Sequence, residues 1–262
     1  MTVVFLGGGR ITSAMLAGLK LSRAKYRIIV HDRNPSKLRR LQEEYGAIPE
    51  RSLPRAVAQA DLMIVAVRPN AVFALLKEIG RVDRPLSAVS LAAGVPLSRL
   101  RNALGPQVQW ARAMPSPASR SRRGLAALSF ARSFAPHARR QVSNLFTTFG
   151  EIVEVPERQF DAFTVTYSSS HGYHALATLA EAGCRAGLNR KTALLAAAHA
   201  LVDGLIAWRE GVQSLDALLH EAATPGGIAA TTIAAMNKAG YARAVRAGIR
   251  AGLRRARANA RG

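Results

Sequence analysis

The sequence predicts an α/β protein, with a doubly wound parallel sheet in residues 1–156 and an all-helical domain in residues 157–262. Three observations carry that prediction. A glycine turn, Gly7-Gly8-Gly9, joins an apolar strand to a helical pattern. Short apolar runs and helical stretches then alternate as far as Val155, the rhythm of a sheet built from βαβ units. After Pro156 no strand pattern remains, and Ala, Leu and Gly dominate.

Val3-Val4-Phe5-Leu6 suits a buried strand, and Ile11, Met15 and Leu19 are spaced for one face of the helix that follows. Tyr26 to His31 is the second strand. A helix over 35–44 follows, with Leu38, Leu41 and Tyr45 able to face a sheet. Ser52-Leu53-Pro54 reads as a helix start with Pro just inside it. Asp61 to Val67 is a continuous apolar run after its first residue, as parallel strands covered on both faces require. Pro69 then opens a helix through Lys77. Ser87–Leu91 and Val108–Arg112 are further strands, with a helix from Leu97 between them. Gly124–Phe130 and Glu151–Val155 close the sheet around a helix over 135–149. Helices are expected at 157–187, 190–211, 214–222 and 226–260, and small residues along them allow close packing against a second subunit.

Composition narrows the function classes. At 262 residues and 49% apolar, the chain has enough apolar surface for real cores and is not a disordered segment. One cysteine, Cys184, excludes an internal disulfide and has no metal-ligand spacing around it; no metal is expected. No apolar stretch is expected to reach the length of a bilayer span, and no membrane partner is expected. The sequence opens in a strand with no leader pattern before it, so the expected location is the cytoplasm. Lys and Arg together number 37 against 16 acids, a formal charge of +21. That field attracts phosphorylated dinucleotides, carboxylates and, nonspecifically, nucleic acid. Arg is spread along the whole chain, so nucleic acid is not expected as the main partner. The last helix carries Arg243, Arg246, Arg250, Arg254, Arg257 and Arg261 on one face, read as a solvated face of a dimerisation helix.

The chemistry centres on the first turn. Backbone N–H groups at a helix N-terminus can face a pyrophosphate where no Cβ intervenes, and the pattern here is Gly7-x-Gly9-x-x-Thr12. Asp32 lies 25 residues after Gly7, close to the spacing of a ribose-binding acid. Arg33 and Lys37 follow at once, where cations could hold a 2′-phosphate. These favour NADPH, with NADH possible because Asp32 would repel a 2′-phosphate.

The chain resembles pyrroline-5-carboxylate reductases over nearly its full length. The matching segments run in order: Gly7-Gly8-Gly9, Asp32-Arg33-x-Pro35-x-Lys37, Val67-Arg68-Pro69, Ala92-Ala93-Gly94, Arg112-x-Met114-Pro115, Asp161-Ala162, Ala180-Glu181-Ala182-Gly183-x-x-Ala186-Gly187-Leu188 and Thr224-Pro225-Gly226-Gly227. The resemblance implies a Rossmann-type dinucleotide-binding domain, a helical domain that dimerises, and hydride transfer from NAD(P)H to a cyclic imine carboxylate. It implies cofactor contacts at Gly7, Gly9, Arg10, Ile11, Asp32, Arg33, Lys37, Val67, Arg68, Pro69, Ala93 and Gly94. Substrate contacts are implied at Met114, Pro115, Ser116, Ser170, Pro225, Gly226, Gly227 and Ile228.

Departures from the family pattern fall where the substrate should sit. Arg10 and Ser116 stand where members usually carry Asn, and Ile228-Ala229 replace two threonines implied to bind the substrate carboxylate. Thr231 and Thr232, one turn on, are the candidates to replace those hydroxyls. Ser168-Ser169-Ser170-His171-Gly172-Tyr173-His174 replaces a Ser-Gly-Ser-Gly-Pro-Ala-Tyr segment. His171 there is read either as a proton donor to a product nitrogen or alkoxide, or as a capping or interface residue. Three readings of function follow: reduction of pyrroline-5-carboxylate to proline, reduction of another small imine or keto acid by a diverged paralogue, or a non-catalytic dinucleotide binder with a basic partner surface.

Overall fold

The computed structural model describes residues 1–260, which form two units by their contacts: Met1–Tyr167 with the stretch from Ala251 onward, and Ser168–Arg250. Arg261, expected at the end of the basic row, lies outside the described residues.

The first unit is built on one eight-stranded sheet of order β3-β2-β1-β4-β5-β6-β7-β8. The strands are β1 (Thr2–Leu6), β2 (Arg27–His31), β3 (Ile48–Pro49), β4 (Leu62–Val65), β5 (Leu86–Ser90), β6 (Val108–Met114), β7 (Gly124–Phe130) and β8 (Gly150–Glu154). From β3 to β6 all neighbours run parallel. This is the expected doubly wound parallel sheet, with one reversal that was not expected: β7 runs antiparallel to β6, and β8 is parallel to β7. The reason is the short link. Residues 115–123 hold only a 3-10 turn, too little chain for the crossover that a parallel pair needs. The two-residue edge strand β3 is also unexpected, being too short for a periodicity signal.

Successive side chains of β1 point to opposite faces, and both faces are covered. Val3 and Phe5 join Met15, Leu19, Phe146 and Phe149 in one buried layer. Val4 and Leu6 join Met63, Val65, Leu76 and Trp110 in the other. The covering helices are α1 (Arg10–Ser22), α2 (Pro35–Tyr45), α3 (Leu53–Ala58), α4 (Val72–Ile79), α5 (Leu97–Leu100), α6 (Pro136–Thr147) and α7 (Glu157–Thr166). Local sequence explains their starts. Asn34 caps α2 by accepting from the N–H groups of Ser36 and Lys37, with Pro35 at the first helical position. Ser52 caps α3 in the same way. Pro69 opens a 3-10 turn, Pro69–Ala71, before α4 begins.

The helical remainder differs from expectation at two breaks. The helix expected over 157–187 is two helices, α7 and α8 (Ser170–Arg185), parted at the serine run. There Ser168 and Ser170 bond each other through their hydroxyls at 2.7 Å, the local competition that ends helices. α9 (Arg190–Glu210) and α10 (Leu215–Ala222) follow, capped by Asn189 and Ser214. The helix expected over 226–260 is also divided, into α11 (Ile228–Lys238) and α12 (Tyr241–Asn259), at Gly240 with φ +89°.

α7 and the end of α12 belong to the first unit, whereas both were expected in a helical domain starting at 157. Gly94 shows why α12 returns. Its φ is +78°, and a Cβ there would lie 2.4 Å from the Ala256 carbonyl oxygen, so only glycine admits the helix. The Asn259 amide donates to the Ala93 carbonyl at 3.2 Å, and Arg99 donates to the Ala260 carbonyl.

The second unit has a small core. Ala180, Ala193 and Ala197 are its buried apolar cluster, with Leu176 and Cys184 beside them where α8 packs on α9. Leu195, Val202, Leu205, Ile206 and Trp208 of α9 are exposed. α9 also corrects the expectation that no apolar stretch reaches bilayer length: its 21 residues include an 18-residue window of mean hydropathy 1.2, long and apolar enough to span one. Leu, Ile and Val supply most of that value, and on its surface the helix carries a contact between the His199 Nδ1 and Asp203 at 3.1 Å.

Candidate functional site

The carboxyl ends of β1, β2 and β4 meet where the strand order reverses, between β1 and β4. Open α/β sheets bind ligands at that point. A cavity of about 210 Å³ lies there, walled by Leu6, Gly7, His31, Asp32, Val67 and Ala71 among others.

The glycines of the turn do different jobs. Gly7 has φ +113°, and a Cβ on it would lie 2.6 Å from the Ala66 carbonyl oxygen. Gly8 is tight against Leu41 and Asp32. Gly9, by contrast, would carry a Cβ that meets nothing within 4 Å. It is also the N-cap of α1 and gives that helix no side-chain acceptor. No cap side chain thus competes for the first N–H groups of α1, at Arg10 and Ile11, and the bare Gly9 leaves room beside them for an anion. Thr12, where a smaller residue is usual, is accommodated because its hydroxyl donates back to the Gly7 carbonyl at 2.6 Å. Arg10 is exposed at the mouth of this turn.

Asp32 is built into the same turn. Its carboxylate accepts from Gly8 N–H at 2.7 Å and Asn34 N–H at 2.9 Å, with the Lys37 ammonium at 3.4 Å. Burial pushes this carboxyl upward, but the Asn34 and Gly8 N–H donors and the Lys37 charge outweigh it and hold it below its ordinary value. Arg33 pairs with Glu78 of α4 at 2.5 Å. Each cation expected near a 2′-phosphate thus faces an acid.

Val67 lines the cavity beside Gly7, and Arg68 and Pro69 begin the turn into α4. Ala93 and Gly94, expected beside the cofactor, make their described contacts with α12 as above.

One group was missed. Arg112, inside an apolar strand, is fully buried, with Nη1 at 3.0 Å from Glu157, Nη2 at 2.6 Å from Asp161, and its guanidinium 4.3 Å over the Phe160 ring. Glu157 also accepts from Leu97 N–H at 2.9 Å, so the cluster ties β6 to α5 and α7. The available signal was a cation in a buried strand together with two acids four residues apart. This clamp fixes the end of β6 that leads into Met114, Pro115 and Ser116. Pro115 and Ser116 are buried, and the Ser116 hydroxyl accepts from Ala118 N–H at 3.3 Å, capping the next turn.

The rest of the expected substrate set lies on the second unit. Ser170 and His171 occupy the first turn of α8, both exposed. Thr224-Pro225-Gly226-Gly227 turns into α11, whose N-cap Gly227 offers no side chain to the helix N–H groups. Ile228 follows at 89% exposure. Thr231 and Thr232 do not present free hydroxyl protons: they donate to the carbonyls of Gly227 at 3.1 Å and Ile228 at 2.9 Å. A threonine near a helix start makes that bond readily, so using either hydroxyl on a substrate would mean giving up a bond within the helix. Among the described residues no three His, Cys, Asp or Glu side chains gather as a metal site would require.

A family model described as NADP oxidoreductase, coenzyme F420-dependent, matches residues 2–94, and one for pyrroline-5-carboxylate reductase dimerisation matches residues 157–259. A Thermus thermophilus pyrroline-5-carboxylate reductase is 36% identical over 258 residues, covering 94% of this chain and 92% of that protein. The Corynebacterium melassecola reductase is 28% identical over 90% of this chain and 89% of its own length. The fold matches a Plasmodium falciparum pyrroline carboxylate reductase with NADP bound, at TM-score 0.87 and 18% identity, over 99% of this chain and 98% of that one. The glycine turn, the switch-point cavity and the helical second unit thus have a common source: the chain belongs to the pyrroline-5-carboxylate reductase family.

Proposed function

We propose that this protein is an NADPH-dependent reductase acting on the C=N bond of pyrroline-5-carboxylate to give proline. The observation that carries the reading is the open step at Gly9, an uncapped helix N-terminus beside the switch-point cavity, in a chain 36% identical to a reductase of that name. NADPH, when bound, supplies the hydride. Reduction of a protonated cyclic imine then asks the protein mainly for positioning and electrostatics.

The N–H groups of Arg10 and Ile11 hold the pyrophosphate in this reading, and Asp32 keeps the turn in shape. Met114, Pro115 and Ser116 line the substrate on the first unit. On the second, the N–H groups that open α11 after Gly227 bind the carboxylate. Ser170 borders the substrate, and the His171 imidazole gives a proton to the product nitrogen. The exposed apolar residues of α9 are covered by a second copy, so the working form is a homodimer in the cytoplasm, with neither nucleic acid nor a bilayer as partner.

A second reading is favoured by one observation: an exposed Ile228 and two threonines bonded to helix carbonyls replace free hydroxyls at the α11 turn. It is reduction of a different small imine or keto acid on the same scaffold. The test is NADPH oxidation by purified protein with pyrroline-5-carboxylate, with proline identified as product. Robust turnover supports the first reading. Tight NADPH binding without turnover overturns it, and turnover on another member of a panel of cyclic imines and keto acids supports the second.

A further inference from the structure

Resting on the dinucleotide reading above, we propose that Glu78 of α4 sets how strongly this protein prefers NADPH over NADH, by competing with the cofactor 2′-phosphate for Arg33. Glu78 lies one helical turn beyond Ala74, a residue that walls the cavity, so both share a helix face. Its carboxylate meets Arg33 Nη2 at 2.5 Å, the guanidinium that follows the ribose-side acid in sequence.

The region holds two cations and two acids, and the acids differ. Asp32 has 12% of its side chain exposed and is fixed by the N–H groups of Gly8 and Asn34, so it cannot leave Lys37 without opening the glycine turn. Glu78 is 46% exposed, and Arg33 is its sole described partner; Arg33 itself is 79% exposed. An exposed pair of this kind is weak and salt-screened, so an incoming phosphate dianion can take Arg33 from it. A guanidinium fork favours phosphate oxygens, but to use Arg33 the phosphate must first break its pair with Glu78. NADH, with a 2′-hydroxyl, has no such pair to break. Glu78 therefore lowers the preference that Arg33 creates.

The experiment is equilibrium binding of NADPH and NADH, by nucleotide fluorescence or calorimetry, to wild type, Glu78→Gln, Arg33→Gln and the double variant. Adenosine 2′,5′-bisphosphate and adenosine 5′-monophosphate serve as a second ligand pair. The expected result is that Glu78→Gln tightens NADPH about three- to fivefold, with NADH changed less than about twofold. In the Arg33→Gln background the same substitution should have no further effect. The bisphosphate should follow NADPH and the monophosphate NADH. A ratio of the two affinities that stays within about twofold of wild type in Glu78→Gln, or a gain that persists without Arg33, overturns the proposal. Wild-type protein that binds neither nucleotide would instead overturn the dinucleotide reading itself, a distinct result. Both side chains are on the surface, and an unchanged melting temperature confirms that each variant is folded.

Discussion

In the first unit, the central strands β1, β4 and β5 are covered on both faces, and bulky side chains such as Phe5, Trp110, Phe146 and Phe149 are fully buried. In the second, three alanines form the buried cluster, while Leu195, Leu205, Ile206 and Trp208 of α9 stand exposed. Apolar burial is roughly proportional to area, and an alanine contributes little of it. Ordering a residue's backbone costs about 1–2 kcal/mol, which three alanines cannot offset across five helices. The first unit is thus complete within one chain. The second has a sequence that makes sense only when its apolar faces are covered by something else, and the dimerisation model that matches residues 157–259 names the occupant as a second copy.

The largest expected effect tests whether the first unit is self-supporting. Arg112→Leu removes one side of a buried ion cluster and leaves Glu157 and Asp161 unpaired, which should destabilise that unit by about 3–5 kcal/mol in urea unfolding. A loss under about 1 kcal/mol would show that the clamp is not a principal tie between β6 and α7.

Charging the exposed face of α9 comes next. If Leu205 and Ile206 stay in water, Leu205→Asp and Ile206→Asp should each change stability by no more than about 0.5 kcal/mol. If a second copy covers them, each should weaken the assembly by about 2 kcal/mol or more, seen by light scattering as a shift toward half the mass.

How much of this was legible in sequence follows the same division. The strands and most helix starts of the first unit could be read because alternation, caps and prolines act locally: Asn34-Pro35 and Ser52-Leu53-Pro54 lie where they were expected. The reversal of β7 could not be read from its residues, since it depends on the length of the link and not on composition. The breaks at Ser168–Ser170 and Gly240 were hidden by Ala-rich flanks that continue a helical period on both sides. In the site, the cradle was visible as a spacing pattern. The Arg112 clamp was not, because its acids are distant in sequence. Nor could the Arg33–Glu78 pair be read, since 45 residues separate its members. The bonds of the Thr231 and Thr232 hydroxyls to the carbonyls four residues back were not anticipated, though the tendency is local and general.

Smaller effects sharpen the picture of the cofactor cradle. Asp32→Asn removes the charged acceptor of Gly8 N–H and should weaken NADH binding roughly tenfold. The carboxyl titrates below its ordinary value in the folded chain, so its contribution is complete above the unfolded value near 3.8. It is lost only as the pH falls through the lowered folded value. NADH affinity should therefore be insensitive to this group from pH 8 to about 5, and a loss of affinity near pH 6 would have to come from another residue. Smallest of all, Thr231→Val with Thr232→Val should leave kcat/KM within about twofold, because their protons are already given to helix carbonyls. A hundredfold loss would place those hydroxyls on the substrate.

The contrast between the units is tested most directly by sedimentation equilibrium of the unmodified chain across micromolar concentrations. A dimer, with the exposed faces of the second unit covered, is the predicted result. A stable 28.0 kDa monomer over that range would contradict the account, since the apolar face of α9 would then stand in water without a partner.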